Sequence, residues 1–347
     1  MSYDRSLCFL VPAMSLYLAL GGIAGVMPAT AAEPAACGRP VRIVSVAVYR
    51  KSVADTAEIV DREAAKGADL VVLPETWPGL GKLFTLQDPP ITAMAKLAKK
   101  HKTYIISPID RRDGDRVYNS AVLIDRQGKV AGIYNKVCPV MPEPAEREPG
   151  VGRGGEFAAE VNGRPGSDAP VFQTDFGRIG MAICFDGQFP EVWQRLEDNG
   201  AQLVLFSSMY SAGGSLGAYA MLHHYYVVSC CNSGECQAYD MTGERLLHER
   251  KGVSRITLDM DRRMVHLNDM NNHVGKHNGR IEKLLKENPG VLMEKVLRPE
   301  DWMVHKAVQP GVDVPALMQK YGIRDLRTYL NGQRETADQL RGSRFKP

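Results

Sequence analysis

Three short, almost wholly apolar runs, "ADLVVLPE" (68–75), "GRIGMAIC" (177–184) and "AQLVLFSS" (201–208), most limit what this chain can become. Runs of this length bounded by turn signals read as strands buried on both faces, and such strands need cover above and below. Between them lie segments with helical spacing: Val53 to Lys66, "ITAMAKLAKKHK" (91–102) and "PEVWQRLEDNG" (190–200), the last ended by its glycine. Strand pairs around the tight turns Arg126–Lys129 and Asp175–Gly177 must be antiparallel. A regular βα barrel therefore fits less well than a two-layer or four-layer α/β sandwich. Further strands are expected in "RIVSVAVY", "TYIISPID", "ECQAYDMTGERLLHE" and "GVSRITLDM", and "GAYAMLHHYYVVSCCNS" reads as a helix leading into a strand.

With 347 residues, 44% hydrophobic and 24% charged, the chain is ordinary globular material, one core plus an appendage. A net charge of +3, without a basic stripe, excludes nucleic acid as the expected partner. Residues 1–32 read as an export signal: Arg5, an apolar stretch from Leu7 to Val26, and a small-residue cleavage pattern in "PATAAEP". The same stretch approaches the length of a membrane span, so an N-terminal anchor is the alternative. Residues 39–265 form the expected main domain, and 266–347 a polar C-terminal extension of short helical pieces, lying on the core or a partner subunit.

A Pro/Gly-rich connection from Cys138 to Ala169 is long for a structureless loop, and such loops are usually functional or mobile. Of seven cysteines, six follow the proposed cleavage site, an even count that in an oxidising compartment suggests disulfides. "CCNSGEC" (Cys230, Cys231, Cys236) has the spacing of neither a zinc knuckle nor a redox pair, and no metal is expected. His223 and His224, within aromatic and apolar neighbours, read as core or interface side chains.

Glu75 stands where a buried strand ends, Lys136 ends "GKVAGIYNK", and Cys184 ends "RIGMAIC" just before the turn and helix of "FDGQFPE". Each alone could be a loop carboxylate, a surface lysine or a small core thiol. Together they are the set that acyl transfer needs: a carboxylate to take the thiol proton, an ammonium for the oxyanion, and a sulfur nucleophile.

"LPETWPG", "YNKVCPVMPE" and "GRIGMAICFDGQFPE" resemble, in order and separation, the three motifs of the carbon-nitrogen hydrolase (nitrilase) superfamily, over roughly residues 40–260. The resemblance implies a four-layer αββα sandwich pairing into αββα-αββα dimers, no cofactor, and a thioester or thioimidate intermediate. It also implies Glu75 as general base, Lys136 as oxyanion-stabilising cation, Cys184 as nucleophile, and the Phe185 backbone N–H as partner in the oxyanion hole. A second glutamate matches Glu143, with Glu146 and Glu148 close behind. "CFD" is more like the amidase and carbamoylase branches than the "CWE" of true nitrilases, so the expected substrate is a small amide or N-carbamoyl compound, with a nitrile as alternative. Lipoprotein N-acylation, whose branch carries several membrane helices, fits less well. A secreted binding protein that keeps the fold, and a disulfide or metal module on the Cys230–Cys236 cluster, are the readings from other classes.

Overall fold

A computed structural model describes residues 37–140, 163–267, 271–272, 276–277 and 279–345. The proposed signal (1–32), most of the Cys138–Ala169 connection, and Glu143, Glu146 and Glu148 lie outside these residues.

In the N-terminal half, the first six strands are β1 Pro40–Val46, β2 Leu70–Val72, β3 Leu83–Phe84, β4 Tyr104–Asp113, β5 Arg116–Ile124 and β6 Val130–Asn135. Six more follow: β7 Val171–Thr174, β8 Gly177–Ile183, β9 Leu203–Ser208, β10 Tyr226–Cys231, β11 Cys236–Tyr239 and β12 Arg245–Glu249. With β13 Val253–Asp259, they build two sheets of order β13-β1-β2-β4-β5-β6, with β3 beside β4, and β12-β11-β10-β9-β8-β7. Each sheet has three parallel strands at its centre, β1-β2-β4 and β8-β9-β10, flanked by antiparallel pairs.

Strand alternation explains why the apolar runs are continuous. Val41, Ile43, Leu70 and Val72 join the core shared with Ile179, Met181, Leu203 and Leu205 of the other sheet. Val44, Val46, Val71 and Leu73 face the opposite way, onto helices α1 (Val53–Ala64) and α2 (Pro89–His101), through Val60, Ile91 and Met94. The second sheet is covered by α3 (Pro190–Asp198) and α4 (Gly214–His223), where Trp193 stacks on Tyr219 at 4.4 Å and 9°. These layers make the expected αββα sandwich. Direct bonds cross the sheet–sheet boundary: Ser207 Oγ donates to the Leu73 carbonyl (2.8 Å) and Ser45 Oγ to that of Ser229 (3.2 Å).

The C-terminal region holds the expected short helices and adds a sheet beyond that expectation. Strands β14 Arg263–His266, β17 Val291–Leu297 and β18 Trp302–Ala307 form an antiparallel sheet of order β14-β18-β17. A short pair, β15 Asn271–Asn272 and β16 Lys276–His277, precedes α5 Arg280–Glu287, and α6 Val314–Lys320 and α7 Leu326–Arg341 follow the sheet. "VLMEKVL" and "WMVHKA" lack clean alternation, and they become strands because they pair with each other and with β14. Val265, Ile281, Leu284, Val291, Met303 and Met318 give this region its own apolar cluster.

Within that cluster His305 is 2% exposed and neither ring nitrogen has a partner among the described residues. Burial alone pulls its pKa down to about 4. The unfolded chain then binds a proton near pH 6.5 that the folded chain refuses until about pH 4, so stability falls as pH drops through that window. The loss is on the order of 2 kcal/mol at pH 5 relative to pH 8. His305→Leu is expected to remove that part of the acid sensitivity, and urea titrations at the two pH values would show it; an unchanged pH difference would refute the assignment.

Among the described residues no helix is long and apolar enough to cross a membrane. Cys37, Cys138, Cys184, Cys230, Cys231 and Cys236 are all unbridged, contrary to the disulfides their even count suggested. Cys230, Cys231 and Cys236 are instead packed as small apolar side chains at the centre of the second sheet.

Candidate active site

Four strand ends meet at one edge of the sandwich. Glu75 lies three residues beyond β2, Lys136 directly after β6, Cys184 directly after β8, and Met209 directly after β9. In α/β sheets such carboxyl ends are where ligands bind. The local backbone is unusual at two of these points: Cys184 has φ 46° and Thr76, next to Glu75, φ 45°. Left-handed conformations cost non-glycine residues of order 1 kcal/mol or more and persist where surrounding structure enforces them. Here they fall where the chain leaves β8 at Cys184 and directly after Glu75.

Glu75 and Lys136 are buried, 3% and 2% exposed, with Nζ 3.1 Å from Oε1. Oε1 also accepts from Asn119 Nδ2 at 2.8 Å, and Oε2 from the Met209 N–H at 3.0 Å. Asn232 Nδ2 holds the Glu75 carbonyl at 3.2 Å. The carboxylate is thus paired and saturated with donors, as a buried charge must be. The Cys184 thiol lies within electrostatic reach of the Glu75 carboxylate, the Lys136 ammonium and the Met209 backbone. Burial first, then the Glu75 charge, push its thiol up to about 12, against a pull downward from Lys136. The resting sulfur is therefore a neutral thiol beside a carboxylate.

The structure brings Glu75, Lys136 and Cys184 together as expected from their order along the chain. Phe185 follows the thiol, its ring set edge-on against Phe189 at 5.2 Å. His223 binds Glu197 through Nδ1 at 2.8 Å, in the α3–α4 layer.

Sequence reasoning missed Asn119, Asn232, the Met209 N–H and Asp186. Asp186 is fully buried and accepts from Tyr134 Oη (2.6 Å), Cys138 N (2.8 Å) and Ile183 N (2.9 Å). It ties the strand that ends in Lys136 to the turn that carries Cys184. Burial raises it to about 6 although three donors favour the carboxylate, so it is mostly ionised at neutral pH. Asp186→Asn turns an amide NH2 toward one of these donors, and the expected cost is ~1–3 kcal/mol of stability. Tyr134→Phe, which removes a donor instead, should cost less; denaturant titration of both checks the order. Close approach also explains two glycines. A Cβ on Gly187 would lie 2.7 Å from Tyr210 Oη, and one on Gly166 would lie 2.1 Å from the Asn135 carbonyl beside Lys136.

This sandwich thus gathers a carboxylate, an ammonium and a thiol at its strand ends. The chain belongs to the carbon-nitrogen hydrolase family, whose model matches residues 41–263. It is 28% identical over 244 residues to a nitrilase of Pyrococcus abyssi, a match covering 62% of this chain and 87% of that one. It is 34% identical over 114 residues to a beta-ureidopropionase of Arabidopsis thaliana, covering 32% and 25%. The chain spans less than half the length of most of the curated relatives it matches. Its fold is similar to that of a solved amidase from Nesterenkonia sp., with a TM-score of 0.52 and 18% identity over 65% of this chain and 92% of that one.

Proposed function

We propose that the protein hydrolyses a non-peptide carbon–nitrogen bond in a small amide or N-carbamoyl compound through a thioester on Cys184. The observation that carries this reading is the buried Glu75–Lys136 pair, whose charges both act on the Cys184 thiol. Glu75 takes the thiol proton as sulfur bonds to the carbonyl carbon, and the carbonyl π electrons move to oxygen. The Lys136 ammonium and the Phe185 N–H hold that oxyanion. Its collapse breaks the C–N bond, and Glu75 returns the proton to the leaving nitrogen. A water then gives its proton to Glu75 and attacks the thioester, and the sulfur leaves as the thiol once Glu75 protonates it. Nitrile hydrolysis uses the same groups through a thioimidate; the "CFD" sequence after the strand favours the amide branch.

Beta-ureidopropionase among the relatives supports a carbamoyl substrate, and the amidase fold neighbour is compatible with it. Export of the chain and its pairing into homodimers belong to the same reading, with Glu143 as second glutamate. The test is ammonia release across small amides, N-carbamoyl amino acids and nitriles. Turnover on the first two groups that vanishes in Cys184→Ala supports the proposal, and turnover unchanged in that variant overturns it.

A further inference from the structure

Away from the four strand ends, a cavity of about 320 Å³ opens where the β7–β8 turn, the loop after α3 and the start of α7 meet β14. Its lining includes Arg178, Arg263, Arg327 and His224. Among the described residues Arg263 donates only to the carbonyls of Met260 and Arg262, both at 2.8 Å. Arg327 donates to the carbonyls of Ala201 (2.8 Å), His223 (2.7 Å) and His224 (3.2 Å), while its buried Nε has no partner among the described residues. His224 Nδ1 is likewise buried and unpartnered among them.

The acidic side chains of the lining do not neutralise these cations by contact. Glu197 accepts from His223 and Gln194, Asp198 from Gln194, and Asp325 caps α7 through the Thr328 N–H. Arg262, also on the wall, is already paired with Asp240 and Glu294. Burial pulls Arg263 and Arg327 below the ordinary guanidinium range, opposed through space by Asp261 and Asp325 at Arg263 and by Glu197 and Asp325 at Arg327. A guanidinium held by carbonyls alone on the wall of an open volume is a half-made site for an oxyanion. The volume is at the lower end of small-molecule sites.

We propose that this cavity binds a small oxyanion bearing carboxylate or phosphate groups, held by Arg178, Arg263 and Arg327. The ligand would bridge the sandwich, through Arg178, to α7, through Arg327. The site shares no residue with the Glu75–Lys136–Cys184 cluster, so it stands whether or not that cluster is catalytic.

The test uses the full chain carrying Cys184→Ala, titrated with inorganic phosphate and separately with citrate, with sodium chloride at matched ionic strength as control. Calorimetric binding is expected for at least one anion, and a melting temperature raised by roughly 5 °C at about a hundred times its Kd. The arm that binds tells phosphate from carboxylate chemistry. Arg178→Gln, on an exposed residue, is expected to weaken binding about tenfold, and Arg327→Gln to abolish it. Binding by neither anion, a shift reproduced by chloride, or affinity unchanged in folded Arg178→Gln would each overturn the proposal.

Discussion

Glu75→Gln is expected to lower kcat/KM by roughly 10³-fold while leaving Cys184 open to stoichiometric alkylation. The two effects separate because Glu75 plays opposite electrostatic parts. In the proposed mechanism it removes the proton in the transition state; as a fixed negative charge it adds to burial in holding the resting thiol up near 12. The carboxamide loses the base but also loses that charge, leaving burial as the main effect that opposes the downward pull of Lys136 on the thiol. The variant should therefore react with iodoacetamide at neutral pH as readily as the parent or faster, with mass spectrometry placing one adduct on Cys184. An adduct absent from folded Glu75→Gln, or undiminished amide turnover, would contradict these roles. A modest stability loss of ~1–3 kcal/mol accompanies the change. Asn119, Lys136 and the Met209 N–H all donate to the carboxylate, and an amide must turn its own donors toward one of them.

Lys136→Met should be the more damaging change for the fold. It leaves the Glu75 carboxylate 3% exposed without its counter-ion, and breaking a buried pair from one side costs about 3–5 kcal/mol. It also removes the proposed oxyanion donor, an expected loss of roughly 10²–10³ in kcat. The double variant Lys136→Met/Glu75→Gln separates the effects, because no buried charge is left behind. Stability should recover by ~2 kcal/mol or more relative to Lys136→Met, with no return of activity. Urea unfolding of the single and double variants measures the difference; strictly additive losses would mean that the 3.1 Å contact carries no coupling.

The sandwich is legible in the sequence because its strands bury both faces, which forces apolar runs such as "LVVL" and "LVLF" that need no partner to be recognised. Glu75, Lys136 and Cys184 are legible for a related reason: each breaks or ends an apolar run at the point where the chain leaves its sheet. The supporting shell is not. Asn119 lies within a strand where an amide signals nothing, the Met209 contribution is a backbone N–H carrying no residue identity, and Asn232 reads only as part of a turn. Asp186 stands in plain view in "CFD", yet its three donors come from residues 52, 48 and 3 positions away. The C-terminal sheet escapes a sequence reading because β17 and β18 owe their form to each other rather than to their own periodicity.

The groups of the proposed site are divided between the two sheets: Glu75 and Lys136 follow β2 and β6 of one, Cys184 and Met209 follow β8 and β9 of the other. A strand advances ~3.3 Å per residue, about the length of the hydrogen bonds that join these groups. One residue of slippage between the layers would part thiol from carboxylate without exposing either sheet. The Cys184–Glu75 contact thus serves as a gauge of interlayer alignment, and a refolding chain with both sheets formed but not yet mated would be structured and inert.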